Sequence, residues 1–77
     1  MELYVLTQSG TKVIPLLKKA GRDVEANILE YLGMAEGATV EQVADALHLD
    51  LKMAYDKIRS FSANRWIWRK STKLVPF

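Results

Sequence analysis

Between Thr39 and Ile67 the apolar positions fall into two helical stripes and then an alternating run. Val40, Val43, Ala44 and Leu47 recur at helical spacing and predict a short amphipathic helix. Thr39 stands at its start with Gln42 three residues on, the spacing of a capping box. The stripe breaks at His48-Leu49, and Asp50 is positioned to cap a second helix. Leu51, Ala54, Ile58 and Phe61 form that helix's inner face, and Ala44 and Ala54 are small where two helices would cross. Upstream, residues 22–34 carry Val24, Ile28, Leu29 and Leu32 on one side and Glu30 on the other. Asp23 and Glu25 lie near the start of this helix, where its dipole favours negative charge. Residues 33–38, with two glycines, connect it to Thr39.

The ends of the chain read as extended structure. Leu3 to Leu6 suits a pleated strand, and Gln8-Ser9-Gly10 is a turn signal. Thr11 to Ile14 then predicts a return strand, with Pro15 opening a short helix over residues 16–20 that Gly21 stops. The alternative is a helix beginning at Gln8 and capped by Thr7. Pro15 argues against it, since proline deep in a helix removes a hydrogen bond. After Phe61 the helix frays through Ser62-Ala63-Asn64, and Trp66-Ile67-Trp68-Arg69 alternates as a strand does. Lys70-Ser71-Thr72 turns the chain and residues 73–77 return, giving a hairpin with basic groups at its tip. Trp66 and Trp68 share one side of that strand, opposite Ile67. At least one of them packs on the helices, Trp66 first. Trp68 is read as a second core residue, or else as an exposed anchor for a dimer or protein partner.

Two short helices joined by a tight turn, the second bearing an apolar inner stripe, form a helix-turn-helix arrangement. With a strand pair behind it, the sequence resembles the winged helix-turn-helix family. The matching positions are Thr39, Val43-Ala44, Leu47, Leu49, Asp50, Ala54, Ile58, Phe61 and Ile67. His48 in the turn and Arg65 before the first wing strand stand where the family often has glycine, and both positions often call for a positive φ. Leu6-Thr7-Gln8-Ser9-Gly10 also looks like the Leu-Thr-x-x-Gly that often follows the last wing strand in such domains, here at the start of the chain. The resemblance implies an α+β fold with a three-helix core, a short C-terminal β-hairpin wing and an N-terminal strand or hairpin. The expected division of the single domain, 1–77, is an accessory segment over 1–21, the core over 22–61 and the wing over 65–77. The implied function is duplex DNA binding, as in a small transcriptional regulator, with a homodimer as an accompanying expectation. The rival is a winged module that binds protein inside a larger complex, through Trp68 or the N-terminal strand.

Charge sharpens this picture. The 77 residues carry a formal net charge of only +2. Residues 1–50 hold four basic and eight acidic groups, whereas residues 51–77 hold seven basic groups and Asp56 alone. The basic surplus coincides with the second helix and the wing, as an anion-binding face requires. Lys52, Met53, Asp56, Arg59 and Ser60 lie roughly opposite the inner stripe, with Tyr55 and Lys57 on the flanks. Lys52 can donate to guanine, Met53 can touch a thymine methyl and Asp56 can accept from cytosine. Lys57 and Arg59 suit phosphates, as do Arg65, Arg69, Lys70 and Lys73 in the wing. Lys52–Asp56 and Asp56–Arg59 also stand at the spacings of ordinary intrahelical ion pairs.

Other chemistry finds little support. There is no cysteine and one histidine, His48, so no metal-ligand set or thiol nucleophile is expected. The serines have no partnered base and the glycines build no phosphate loop, so neither an enzyme nor a cofactor is expected. No apolar run approaches the roughly 20 residues of a membrane span. Residues 1–6 lack the marks of a signal peptide, so a cytoplasmic site is expected, at the nucleoid if the cell is prokaryotic.

Overall fold

A computed structural model describes residues 2–71. Its elements, in chain order, are β1 (Glu2–Leu6), α1 (Gln8–Lys19), α2 (Asp23–Met34), α3 (Val40–Leu47), α4 (Leu51–Ala63) and β2 (Ile67–Ser71). The fold of these residues is α+β, four helices with a two-stranded antiparallel sheet.

The caps of the central pair follow from local chemistry. Thr39 Oγ1 accepts from Gln42 N at 3.1 Å, and Gln42 Oε1 accepts from Thr39 N at 2.9 Å, closing the capping box. At the other end of α3, His48 adopts the left-handed conformation at φ 55° and Leu49 N reaches back to Ala44 O at 2.8 Å. Asp50 Oδ2 then accepts from Met53 N at 3.3 Å and starts α4. Arg65, at φ 61°, closes α4 the same way, with Trp66 N bonded to Phe61 O at 3.0 Å. Both positions marked for a positive φ therefore adopt one without glycine.

The core lies where α2, α3 and α4 meet the sheet. Ile28, Leu29, Leu32, Val43, Ala54, Ile58, Phe61 and Ile67 are buried, and Trp66 packs on Phe61 with ring centroids 5.7 Å apart. Three expected core residues are not in it. Leu51 is 46% exposed and Val24 is 43% exposed, because each sits in the first turn of its helix, beyond the edge of the packed stripe. Trp68, read as core, is 66% exposed, since Ile67 takes the inward position beside it.

The N-terminal segment corrects the expected hairpin and short helix. Residues 8–19 form one helix with Pro15 inside it. The lost bond costs roughly 3 kcal/mol in a helix interior. It falls on the outer side, where both Pro15 and Thr11 are exposed and water can reach the freed carbonyl. Two features offset the cost. Gly10, Val13, Ile14 and Leu17 lie at helical spacing, with Gly10 and Leu17 buried. Thr7 Oγ1 accepts from Gly10 N at 3.0 Å while pointing its proton at Arg65 O (2.8 Å) and Trp66 O (2.9 Å). Thr7 N also donates to Trp66 O at 3.0 Å. The start of α1 is thus fastened to the junction between α4 and β2. Gly10 permits this approach, because a Cβ there would collide with the Trp66 carbonyl.

The strand after α4 also finds an unexpected partner. β2 pairs antiparallel with β1, in a register that sets Tyr4 against Arg69 and Leu6 against Ile67. On its other side β1 bridges Ala38 through Tyr4, with N–H···O distances of 2.8 and 3.2 Å. Lys70 and Ser71 continue the strand rather than turning it. The expected return strand, residues 73–77, lies outside the described residues, as does Lys73.

Candidate nucleic-acid interface

Lys52, Tyr55, Arg59 and Ser62 follow one another at helical spacing down the side of α4 that leads to the sheet. Lys52, Tyr55 and Arg59 are exposed. The lower part of this stripe opens into a groove of about 600 Å³ between α4 and the two strands. Ile58, Arg59 and Ser62 form its helical wall with Tyr55, and Tyr4 and Arg69 form the strand wall. Inward-facing positions on β1 and β2 alternate with outward ones, so Tyr4 and Arg69, which are register partners, both turn towards α4. Two guanidinium groups from elements far apart in sequence therefore serve one concavity.

Acidic groups border it. Arg69 lies 3.3 Å from Glu2, and both side chains are largely solvated. Such a pair contributes about 0–1 kcal/mol, so an incoming anion can displace Glu2 at small cost. Tyr55 donates its phenol proton to Glu41 at 3.2 Å, and that bond, with the charge of Glu41, raises its pKa. Burial, followed by the charge of Glu2, does the same for Tyr4. Both phenols thus remain protonated donors at neutral pH.

The other expected contacts divide. Lys57 turns away from the groove and sets its amino group 3.5 Å from Glu25, on α2. Glu25 is only 8% exposed and also accepts two bonds from Arg22. Burial pushes its carboxyl up, yet the bonds and charges of Arg22 and Lys57 outweigh this and leave the pKa below 4.5. Met53 is half-buried, and Asp56 is exposed but forms no ion pair with Lys52 or Arg59 among the described residues. Arg65 is exposed at the bend before β2. Lys70 lies on the outward side of the sheet, whose depression Arg69 also borders. Tyr55, a flank position given no contact by the sequence alone, stands three residues after Lys52 and four before Arg59 and so joins their stripe. Tyr4 gave no such signal, because only the β1–β2 pairing brings it to α4.

No family model, curated protein or solved structure matches this chain. The chemistry of the site is accordingly read from its own geometry. Among the described residues there is no cluster of three or more histidine, cysteine or acidic groups able to hold a metal. No described helix is long and apolar enough to cross a membrane. What the groove offers is two fixed cations, two phenol edges and an adjoining exposed helix face, an arrangement suited to a polyanion that runs along α4.

Proposed function

We propose that the chain is a winged helix-turn-helix domain that binds duplex DNA, with α4 entering the major groove and the β1–β2 sheet acting as the wing. The observation that carries this reading is the meeting of Arg59 and Arg69 across one groove, at the foot of the Lys52–Tyr55–Arg59 stripe. Lys52 and Met53, in the first turn of α4, are the candidates for base edges, with Asp56 one turn on. Arg59, Arg65 and Arg69 take phosphates, with Lys70 and Lys73 near them in sequence. Lys57 serves instead to hold α2 to α4. A role as a small transcriptional regulator follows the resemblance to the family.

Two further features support the winged part of the reading. A wing needs a return strand beside its first strand, and β1 lies there, antiparallel to β2. The Leu-Thr-x-x-Gly string that in the family follows the last wing strand follows β1 here, as Leu6 to Gly10. On this reading the order of elements is circularly permuted. The wing's second strand comes first in the chain, and α1 corresponds to the helix that would otherwise follow the wing.

The test is a charge reversal, Lys52→Glu with Arg59→Glu, read by anisotropy of labelled duplexes selected from random sequence. With about five phosphates contacted, log K falls with log salt at a slope of about −4.5 in the wild type. The double variant keeps its circular dichroism and loses at least about tenfold in affinity, with a shallower slope. Affinity that ignores both salt and the substitutions would refute the proposal. Binding to single-stranded RNA is expected to be weaker than to duplex DNA, since Trp68 is, among the described residues, a single exposed aromatic on the sheet rather than the pair or trio on which the common sheet readers stack bases.

A further inference from the structure

The side of the sheet turned away from α4 has a composition at odds with solvent exposure. In an antiparallel sheet with one face on the core, the other face is usually polar. Here the outward positions are Leu3 and Val5 on β1 with Trp68 and Lys70 on β2, so three of the four are apolar. Val5 and Trp68 are direct cross-strand neighbours, and Trp68 keeps 66% of its surface exposed. Gly37 runs alongside β1, within 3.6 Å of Val5 if a Cβ is placed on it, and brings Glu36 to that flank. The result is a depression of about 590 Å³ with an apolar floor, Glu36 on the β1 flank and Lys70, with Arg69 beside it, on the β2 flank. Neither Glu36 nor Lys70 takes part in an ion pair among the described residues.

We propose that this face docks a second copy of the chain. The charge layout selects that occupant. A two-fold axis running along the strands exchanges the two flanks, so the Glu36 side of each copy meets the Lys70 side of the other, twice. The apolar floors then stack, with the two Trp68 rings at the centre, where binding energy concentrates. The surface is small, which places the dimer among weak, concentration-dependent associations rather than obligate ones. The inference does not rest on DNA binding: Leu3, Val5, Trp68 and Lys70 lie on the opposite side of the sheet from the Arg59–Arg69 groove, although Arg69 borders both.

Sedimentation equilibrium of the full chain tests it over roughly 1 to 500 µM, the range in which an interface of this size dissociates. The expected wild-type result is reversible dimerisation. Trp68→Lys raises the dissociation constant at least about tenfold with unchanged circular dichroism. Should that variant fold poorly, the charge exchange decides. Glu36→Lys and Lys70→Glu each weaken association about fivefold or more, and the two together return it to within about threefold of wild type. A chain that stays monomeric throughout overturns the proposal, whether its own residues or another protein cover the face. So does a dimer indifferent to all four variants. Lys70 is also a proposed phosphate contact, so DNA affinity is compared on Trp68→Lys and Glu36→Lys alone, which leave every proposed DNA contact in place and let loss of the dimer and loss of DNA binding be read separately.

Discussion

Replacing Glu25 by glutamine removes a buried carboxylate that ties α2 to α4. The side chain accepts from Arg22 Nε at 2.8 Å with one oxygen and from the same guanidinium with the other, and Lys57 stands 3.5 Å away. Hydrogen bonds to charged groups are worth about 1.5–3 kcal/mol each. Three considerations reduce the loss. Arg22 is 53% exposed and Lys57 is 35% exposed, so both can return to water. Glutamine also keeps an acceptor oxygen. The expected cost at pH 7 is therefore about 1–2 kcal/mol in total. For a domain of this size that lowers the thermal midpoint by about 5–15 °C. The sign of the pH dependence follows from the lowered pKa. A carboxyl whose folded pKa lies below its ordinary 4.5 contributes stability above that value and loses it as the pH falls through the folded one. Urea unfolding of wild type and Glu25→Gln should give a constant gap from pH 7 down to about 5, closing below about 4.5. A variant as stable as wild type at pH 7, or a gap that persists undiminished to pH 3, would show that Glu25 is not held by these cations.

Three other outcomes are expected. Gly10→Ala places a methyl against the Trp66 carbonyl and against Leu6 Cδ1, so it should destabilise by about 1–3 kcal/mol in urea despite alanine's better helix propensity, and a stabilised variant would mean that α1 is not clamped there. Thr7→Val keeps the shape but loses the cap and both bonds to residues 65 and 66, and should cost about 1–2 kcal/mol where Thr7→Ser costs less; equal stability of the two would discount the hydroxyl. A circular permutant that joins residue 77 to residue 1 and opens between Ala20 and Gly21 should fold cooperatively, because Glu2 and Ser71 are register partners and the opened turn is exposed; an unfolded product would contradict the permuted-wing reading.

What could be read from the sequence was local. The Thr39–Gln42 box and the Asp50 cap are each fixed by a few neighbouring residues, and the structure places both as the spacing implies. The helical stripe of α4 was legible for the same reason, which brought Lys52 and Arg59 into the candidate site. The left-handed turns at His48 and Arg65 were suggested only by the resemblance, since neither residue type favours a positive φ. The misses share a different cause. Trp68 faces outward because Ile67 takes the inward position, whereas Trp66 sits at the bend that Arg65 makes, before the strand begins, and packs on Phe61 without bringing Trp68 with it. Lys57 was assigned to phosphates because its partner, Glu25, is 32 residues away in sequence.

The N-terminal segment brings the same conflict to a single pair of residues. Pro15 carries a strong local signal against a helix over residues 8–19. Thr7 carries a signal for one, but its strength depends on Arg65 and Trp66, 58 and 59 positions downstream. A reader of the sequence weighs proline against one capping hydroxyl and chooses proline. The folded chain weighs it against a hydroxyl with three hydrogen-bond partners, a backbone bond from Thr7 to Trp66 and a buried Gly10–Leu17 stripe, and makes the helix. On the proposed winged reading the Leu6–Gly10 string belongs to the same conflict: its likeness to the segment that follows a wing requires β1 to be a wing strand, and the β1–β2 pairing is compatible with that.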